Sequence, residues 1–349
     1  MNIAYFGCNS NCSENWGCLS TPKCLGELIE DNIKNINSVT KLGNKEMLKK
    51  NLHKIELLKN IITKNDIIII NGEGSPIFSS PERVEFKIHL DIIEYALRQN
   101  KKVLYLNTMI SKCPATGLNE DTYNRALNLW AKCDLITVRD DSSISFLPEL
   151  SNVFYVPDAL FIWSDKIKEI KKENYICISG GSYPTHLQQD VQTKYNIYKE
   201  ITQYISKNYP HLSIKIVQTC GRDYWLKNFS LDNNLELIPL STKVEKGFEI
   251  LSSAKLFISG RFHPSIMASI GGCPCIHFIS NSNKTTYLQK MLEYDNPKSF
   301  EINSNSLSEI FKLIDFYIDN KSIHEKLFNK SKKLSEKCKN DYKRLLSKF

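Results

Sequence analysis

The 349-residue sequence predicts an α/β protein of two Rossmann-like domains. Three observations predict it. Short apolar runs alternate with amphipathic helical periods almost from end to end. The runs are unbroken rather than alternating, the mark of parallel strands covered on both faces. A charged stretch at 164–174 interrupts the series, which then starts again.

Taken in order, strand runs fall at 2–7, 66–71, 102–107, 134–138 and 153–156, then at 175–179, 213–219, 255–259 and 274–279. Between them lie helical periods such as 86–98, with Phe86, Leu90, Ile93 and Leu97 on one face, and 124–132. The boundaries follow: an N-terminal domain 1–163, a linker 164–174, a second domain 175–303 and C-terminal helices 304–349.

Composition excludes several classes. Apolar residues at 42% and charged residues at 24% fit a globular chain rather than a disordered or fibrous one. The longest aliphatic run, 67–70, is far short of the roughly 20 residues a membrane helix needs. No basic, apolar leader precedes the first strand, so the expected location is the cytoplasm. Net charge is +8, but ten Lys/Arg against three acids lie within 321–349, leaving the body nearly neutral. That distribution argues against nucleic acid as a partner. The basic tail carries an apolar stripe of Leu327, Phe328, Leu334, Tyr342, Leu345 and Leu346. Packing on the body is its first reading; peripheral docking on the anionic inner face of the plasma membrane is its second. Eleven scattered cysteines lack zinc-site spacing and read as reduced, buried thiols, with no metal.

Four loops beyond predicted strand ends are candidates for chemistry. Gly72-Glu73-Gly74, followed by Ser75, sets a carboxylate between two glycines. As an ordinary turn it would leave Glu73 solvated; as a site it offers an unobstructed general base. Gly260-Arg261-Phe262-His263-Pro264-Ser265 places Arg261 and His263 at a helix start, where an anion is favoured. The hydroxyls Ser280, Ser282 and Thr285 open the next helix, as caps or as phosphate donors. Gly180-Gly181-Ser182 reads as a weak glycine-rich phosphate turn. Asn15-Trp16-Gly17, after the first strand, is a candidate lining of the cleft. A Walker lysine loop, a Gly-x-Ser-x-Gly elbow and an Asp-x-Asp metal motif are all absent from the sequence.

With these residues in view, the chain resembles the polysaccharide pyruvyl transferase superfamily over roughly residues 1 to 300. The likeness rests on Asn15-Trp16-Gly17, Thr137-Val138-Arg139-Asp140, Val156-Pro157-Asp158 and Gly260-Arg261-Phe262-His263 leading to Gly272-Cys273-Pro274. It implies the GT-B-like fold, two Rossmann-like domains facing a cleft, with an acceptor-side first domain and a donor-binding second one. The acidic Gly72-Glu73-Gly74, the His263-Pro264 pair and the Ser/Thr cluster also resemble the three motifs of bacterial sialyl, Kdo and nonulosonate transferases.

That second resemblance implies an inverting, metal-independent transfer of an acidic sugar from a CMP donor to a glycan or lipid-linked glycan hydroxyl. Glu73 is then the base, and His263 and Arg261 neutralise the departing phosphate. Pro264, Ser265, Ser280, Ser282, Thr285, Gly180, Gly181 and Ser182 surround the donor. Asn15, Trp16, Gly72, Gly74, Ser75 and Arg139 lie on the acceptor side or line the cleft, and no cofactor is needed. The alternative is pyruvyl transfer from phosphoenolpyruvate, forming a ketal, with Arg261 and His263 holding phosphate or carboxylate. A binding scaffold without turnover is the third reading.

Overall fold

A computed structural model describes residues 1–8, 14–43, 47, 52–181 and 191–349. They divide into two compact units. Met1–Cys12, Thr21–Ala159 and Glu336–Phe349 form the first, and Ser13–Ser20 with Leu160–Ser335 the second.

The first half runs β1 (Asn2–Phe6), α1 (Trp16–Asn32), β2 (Ser38–Leu42), α2 (Leu52–Lys64), β3 (Ile67–Glu73), β4 (Ile77–Phe78) and α3 (Val84–Arg98). It continues with β5 (Lys102–Thr108), β6 (Ser111–Lys112), α4 (Glu120–Trp130), β7 (Leu135–Val138) and β8 (Val153–Tyr155). The main sheet has the order β2-β1-β3-β5-β7-β8, parallel at every pairing. Ile67, Ile68, Ile69 and Ile70 are buried on both faces of β3, as the aliphatic run requires. At that burial each side chain contributes about 1.5–3 kcal/mol relative to exposure. Phe78 fixes the helical layer, edge-on to Phe86 at 5.5 Å and to Tyr123 at 5.2 Å.

The second half comprises β9 (Tyr175–Gly181), α5 (Val191–Asn208), β10 (Ser213–Val217), α6 (Trp225–Asp232), β11 (Glu236–Ile238), α7 (Val244–Ser253) and β12 (Leu256–Gly260). Then come α8 (Phe262–Ile270), β13 (Cys275–Phe278), α9 (Lys284–Met291), β14 (Ser299–Phe300), α10 (Leu307–Tyr317) and α11 (Lys321–Leu346). Its sheet, also parallel, has the order β11-β10-β9-β12-β13-β14. Tyr198 anchors the core, edge-on to Trp225 at 4.9 Å and stacked on Phe278 at 5.5 Å.

The basic helix α11 packs through the predicted stripe: Leu327, Leu334, Tyr342, Leu345 and Leu346 are all buried. In the second unit its Ser331 donates to Ser269 O, and Lys332 Nζ donates to Ser164 O and Ile167 O. In the first unit Tyr342 Oη meets Thr137 Oγ1 at 3.1 Å. Lys326, Lys330 and Lys337 pair with Asp295, Glu293 and Asp341. Much of the tail's charge is therefore matched within the fold. Among the described residues no helix is long and apolar enough to cross a membrane, and the ten described cysteines are free thiols.

Candidate active site

In an open parallel sheet, a ligand site forms beyond the carboxyl ends of the strands where the strand order reverses. In the second unit that point lies between β9 and β12. Gly260 there pairs with Gly181, and a Cβ on Gly260 would stand 2.9 Å from Gly181 Cα. Two backbones thus approach more closely than side chains allow.

Arg261 follows directly. Its Nε donates to Asp223 Oδ2 at 3.0 Å and its Nη2 to Oδ1 at 2.7 Å, a buried, bidentate pair. Burial pushes the Asp223 carboxyl up, while the guanidinium beside it pulls it down. Asp223 ends the short turn Gly221–Asp223 after β10. Its place exists because residue 180 is glycine: a Cβ there would lie 2.2 Å from Asp223 Oδ1. The predicted phosphate turn runs through Gly180 and Gly181, and its continuation from Ser182 lies outside the described residues. Both belong to strand β9, and the space left by Gly180 is taken by Asp223.

His263 is the second residue of α8, edge-on to Phe262 at 5.2 Å. Its ring lies against Gly17, where a Cβ would come within 2.3 Å of Nδ1. Gly17 is in the first turn of α1. Asn15 caps that turn, its Oδ1 accepting from Gly17 N at 2.8 Å and Cys18 N at 3.4 Å. Trp16 N donates to Thr219 O, and the buried indole donates from Nε1 to Leu240 O at 3.2 Å. The indole fits only because residue 247 is glycine, whose Cβ would be 2.4 Å from the ring. Asn15 and Trp16, expected on the acceptor side or in the cleft, are thus grouped with the Arg261–His263 loop in the second unit. Trp16 anchors the segment, and Gly17 meets the imidazole. Two helix starts meet at one histidine, each contributing roughly half a positive charge. Beside the Arg261 guanidinium, this suits a phosphate or carboxylate.

In the first unit the strand order reverses between β1 and β3. Glu73 is the last residue of β3, paired with Thr108, so the strand runs two residues beyond its predicted end. Its φ of +41° is left-handed, unusual for a residue with a side chain. Asn71 Nδ2 donates to Glu73 Oε1 at 2.9 Å. Gly72 leaves room for Thr108, whose Oγ1 a Cβ would approach to 2.5 Å. Gly74 O accepts from Arg83 Nη1 at 2.8 Å, and Ser75 N donates to Gly72 O. A Cβ on Gly74 would stand 3.9 Å from Arg139 Nη2. Arg139 itself donates from Nη1 to Asp158 Oδ2 at 2.8 Å, so this buried pair joins two motifs of the predicted likeness.

The remaining candidates sit around the starts of α8 and α9. Pro264 is buried in the first turn of α8, and Ser265 Oγ donates to Arg261 O at 2.7 Å within that turn. Thr285 Oγ1 meets Ser299 Oγ at 3.0 Å, tying α9 to edge strand β14. The N-cap position there is Asn283 rather than one of the expected hydroxyls, and the Asn283 side chain makes no cap bond. Ser280 Oγ donates to Asn281 Oδ1 at 3.4 Å, and Ser282 is buried nearby. Ser182 lies outside the described residues. Sequence reading missed Asp223 and Asn71. A glycine directly after a strand run, at Gly221, was the available signal for the former.

The polysaccharide pyruvyl transferase family profile matches residues 26–283, most of the chain. The chain belongs to that family. A comparison with curated proteins finds no match. Among solved structures, the UDP-GlcNAc 2-epimerase of Methanocaldococcus jannaschii is similar at 12% identity and a TM-score of 0.61, with 92% of this chain and 94% of that chain covered. The S. aureus MnaA–UDP co-structure is similar at 13% identity and TM-score 0.60, covering 95% and 94%. The Neisseria meningitidis UDP-GlcNAc 2-epimerase bound to UDP-GlcNAc follows at 13% identity and TM-score 0.58, covering 97% and 99%. At such identities the likeness establishes the fold, GT-B-like α/β with parallel sheets. This member of the pyruvyl transferase family is a transferase on that fold.

Proposed function

We propose that this transferase moves pyruvate from phosphoenolpyruvate onto two hydroxyls of a glycan or lipid-linked glycan, forming a cyclic ketal. The observation that carries the reading is the second-unit constellation, in a chain of this family: Arg261 fixed by Asp223, with His263 between two helix starts. Phosphoenolpyruvate carries a phosphate and a carboxylate on one carbon, and a rigid guanidinium beside helix termini suits either group.

In the reaction the C2–O bond to phosphate breaks and two C2–O bonds to the acceptor form. One hydroxyl proton is balanced at C3, which becomes a methyl; the other leaves with inorganic phosphate. Arg261 holds the developing phosphate charge. His263 supplies the proton to C3, a role worth about 10²–10⁴-fold in rate. Glu73 is assigned separately as base for an acceptor hydroxyl, on its setting in the first unit.

The test is phosphate release from phosphoenolpyruvate with a polysaccharide acceptor, beside thermal shifts with phosphoenolpyruvate, CMP and UDP. Ligand at 100 times Kd raises stability by about 2.7 kcal/mol, so a donor is readily detected. Stabilisation by phosphoenolpyruvate alone, with release abolished by His263→Ala, supports pyruvyl transfer. A selective response to CMP restores the acidic-sugar reading, favoured by Glu73 at a strand end and the His263–Pro264 pair. UDP belongs in the panel because the S. aureus relative was solved with it.

A further inference from the structure

The amino-terminal edge of the second sheet carries a cavity that the proposed reaction does not use. It has a volume of about 570 Å³, and Ile170, Lys172, Lys255, Ile318, Lys321 and His324 line it, with Asp319 and Glu325 completing the wall. Lys255 immediately precedes β12, whereas Arg261 immediately follows it. Five strand residues at 3.3 Å each separate the two, roughly 17 Å. The cavity is therefore distinct from the carboxyl-edge site.

Its charges are unevenly matched. Lys255 Nζ is held by Asp319 at 2.9 Å, and Glu325 is exposed. Lys172 Nζ donates to the neutral carbonyl of Ser252 at 2.8 Å. Burial lowers its ammonium to about 8, as expected where no carboxylate offsets desolvation. Lys321 opens α11, whose positive end faces the same edge. His324, buried, is pushed down to about 4 and so is neutral near pH 7. Ile170 and Ile318 supply an apolar wall beside these cations.

We propose that this cavity is a second binding site, for a small organic anion: a carboxylate or phosphate group at Lys172 and Lys321, with an apolar body against Ile170 and Ile318. The wall is connected to the candidate active site by a single helix. The far end of α8, whose start carries His263, is clamped at Gly271 and Gly272. Cβ atoms there would lie 2.2 Å from Ser252 O and 2.5 Å from His324 O. Those carbonyls belong to the residue that holds Lys172 and to a residue of the cavity wall.

The test uses the full chain and isothermal titration with phenyl phosphate, benzoate and inorganic phosphate, in wild type and Arg261→Ala. Expected is a saturable event that survives Arg261→Ala, whether or not a second event at the carboxyl-edge site is lost, and that is at least tenfold weaker in both Lys172→Gln and Lys321→Glu. Phenyl phosphate should bind more tightly than inorganic phosphate because only it meets the apolar wall. Phenyl phosphate against benzoate then separates phosphate from carboxylate ligands. Loss of binding in Arg261→Ala would place the anion at the carboxyl-edge site and overturn the proposal. So would unchanged affinity in both lysine variants, or no saturable binding up to 10 mM, about the limit of a useful site of roughly −3 kcal/mol. Thermal midpoints within a few degrees of wild type exclude misfolding as the cause of any loss. None of these outcomes depends on whether the chain transfers pyruvate.

Discussion

Each unit holds a buried arginine one residue beyond a strand, bonded to an aspartate from elsewhere in the same unit. Arg139 follows β7 and meets Asp158; Arg261 follows β12 and meets Asp223. The differences are instructive. Arg139 and Asp158 are almost wholly inaccessible, with side chains 2% and 0% exposed. Arg261 engages through two nitrogens an Asp223 that fills the space left by Gly180, and it remains 8% exposed at a strand-order reversal. Glu73, at the other reversal, accepts from the Asn71 amide and takes a left-handed backbone. The first unit fixes its charge pair for the fold, and the second fixes one for presentation.

The largest expected effects separate the two pairs. Asp158→Ala leaves Arg139 buried without that partner and should cost about 3–5 kcal/mol, read as a lower denaturation midpoint. Asp223→Asn keeps the shape and one acceptor for Arg261. It should cost less stability but raise the KM for phosphoenolpyruvate more than it lowers kcat. Glu at 223 should recover part of that loss, provided the added methylene is accommodated. Equal stability loss with unchanged KM in Asp223→Asn would make the two pairs equivalent and remove the distinction.

Glycines sharpen the contrast at the next scale. Gly17→Ala puts a methyl 2.3 Å from His263 Nδ1, whereas Gly74→Ala meets Arg139 and Met109 only at 3.9 and 4.0 Å. The first should cost about 1–3 kcal/mol and displace the imidazole, lowering turnover. The second should be close to neutral in stability. A turnover assay on purified Gly17→Ala beside Gly74→Ala checks both at once.

Acid exposes another difference. Burial pushes His89 in the first unit and His277 in the second down to about 3, while unfolded histidine titrates near 6.5. Between those values the unfolded chain binds more protons, so stability rises with pH and is fully present above about pH 6.5. Thermal midpoints should therefore fall as pH drops from 6.5 toward 4. His89 Nδ1 bonds Tyr105 Oη at 3.1 Å, whereas both His277 ring nitrogens are buried without a hydrogen-bond partner among the described residues. His277→Leu should flatten the pH dependence and be tolerated at pH 7; His89→Leu should flatten it and also lose a hydrogen bond, about 1 kcal/mol.

The alternation of apolar runs and helical periods made both parallel sheets legible, because strands covered on both faces have no polar face to hide them. The short edge strands were not legible. In β2, Ser38–Leu42, all but Leu42 are exposed or half-buried, and β14 is only two residues long. At the candidate site, Arg261 and His263 were visible because helix-start chemistry is local. Asp223 was not, since its role depends on a neighbour 38 residues away. The meeting of Gly17 with His263 was likewise invisible, because nothing local to either motif says that α1 starts against α8.

The smallest predicted effect compares two helix caps. Asn15 accepts from Gly17 N and Cys18 N at the start of α1; Asn119 accepts from Thr122 N at 3.1 Å at the start of α4. As caps they are chemically alike, and alanine at either should cost about 1 kcal/mol. Their surroundings differ, since Asn15 sets the turn that carries Gly17 against His263, while Asn119 sets a turn in the first unit. Asn15→Ala should therefore also raise the KM for phosphoenolpyruvate by several-fold, and the neutral cap Asn15→Ser should restore much of it. Asn119→Ala should leave KM unchanged at the same loss of stability. Because the stability terms cancel, the KM difference measures only what the α1 start adds to the histidine it faces. Equal KM values would mean that this helix start is structural and that Arg261 and α8 alone hold the anion.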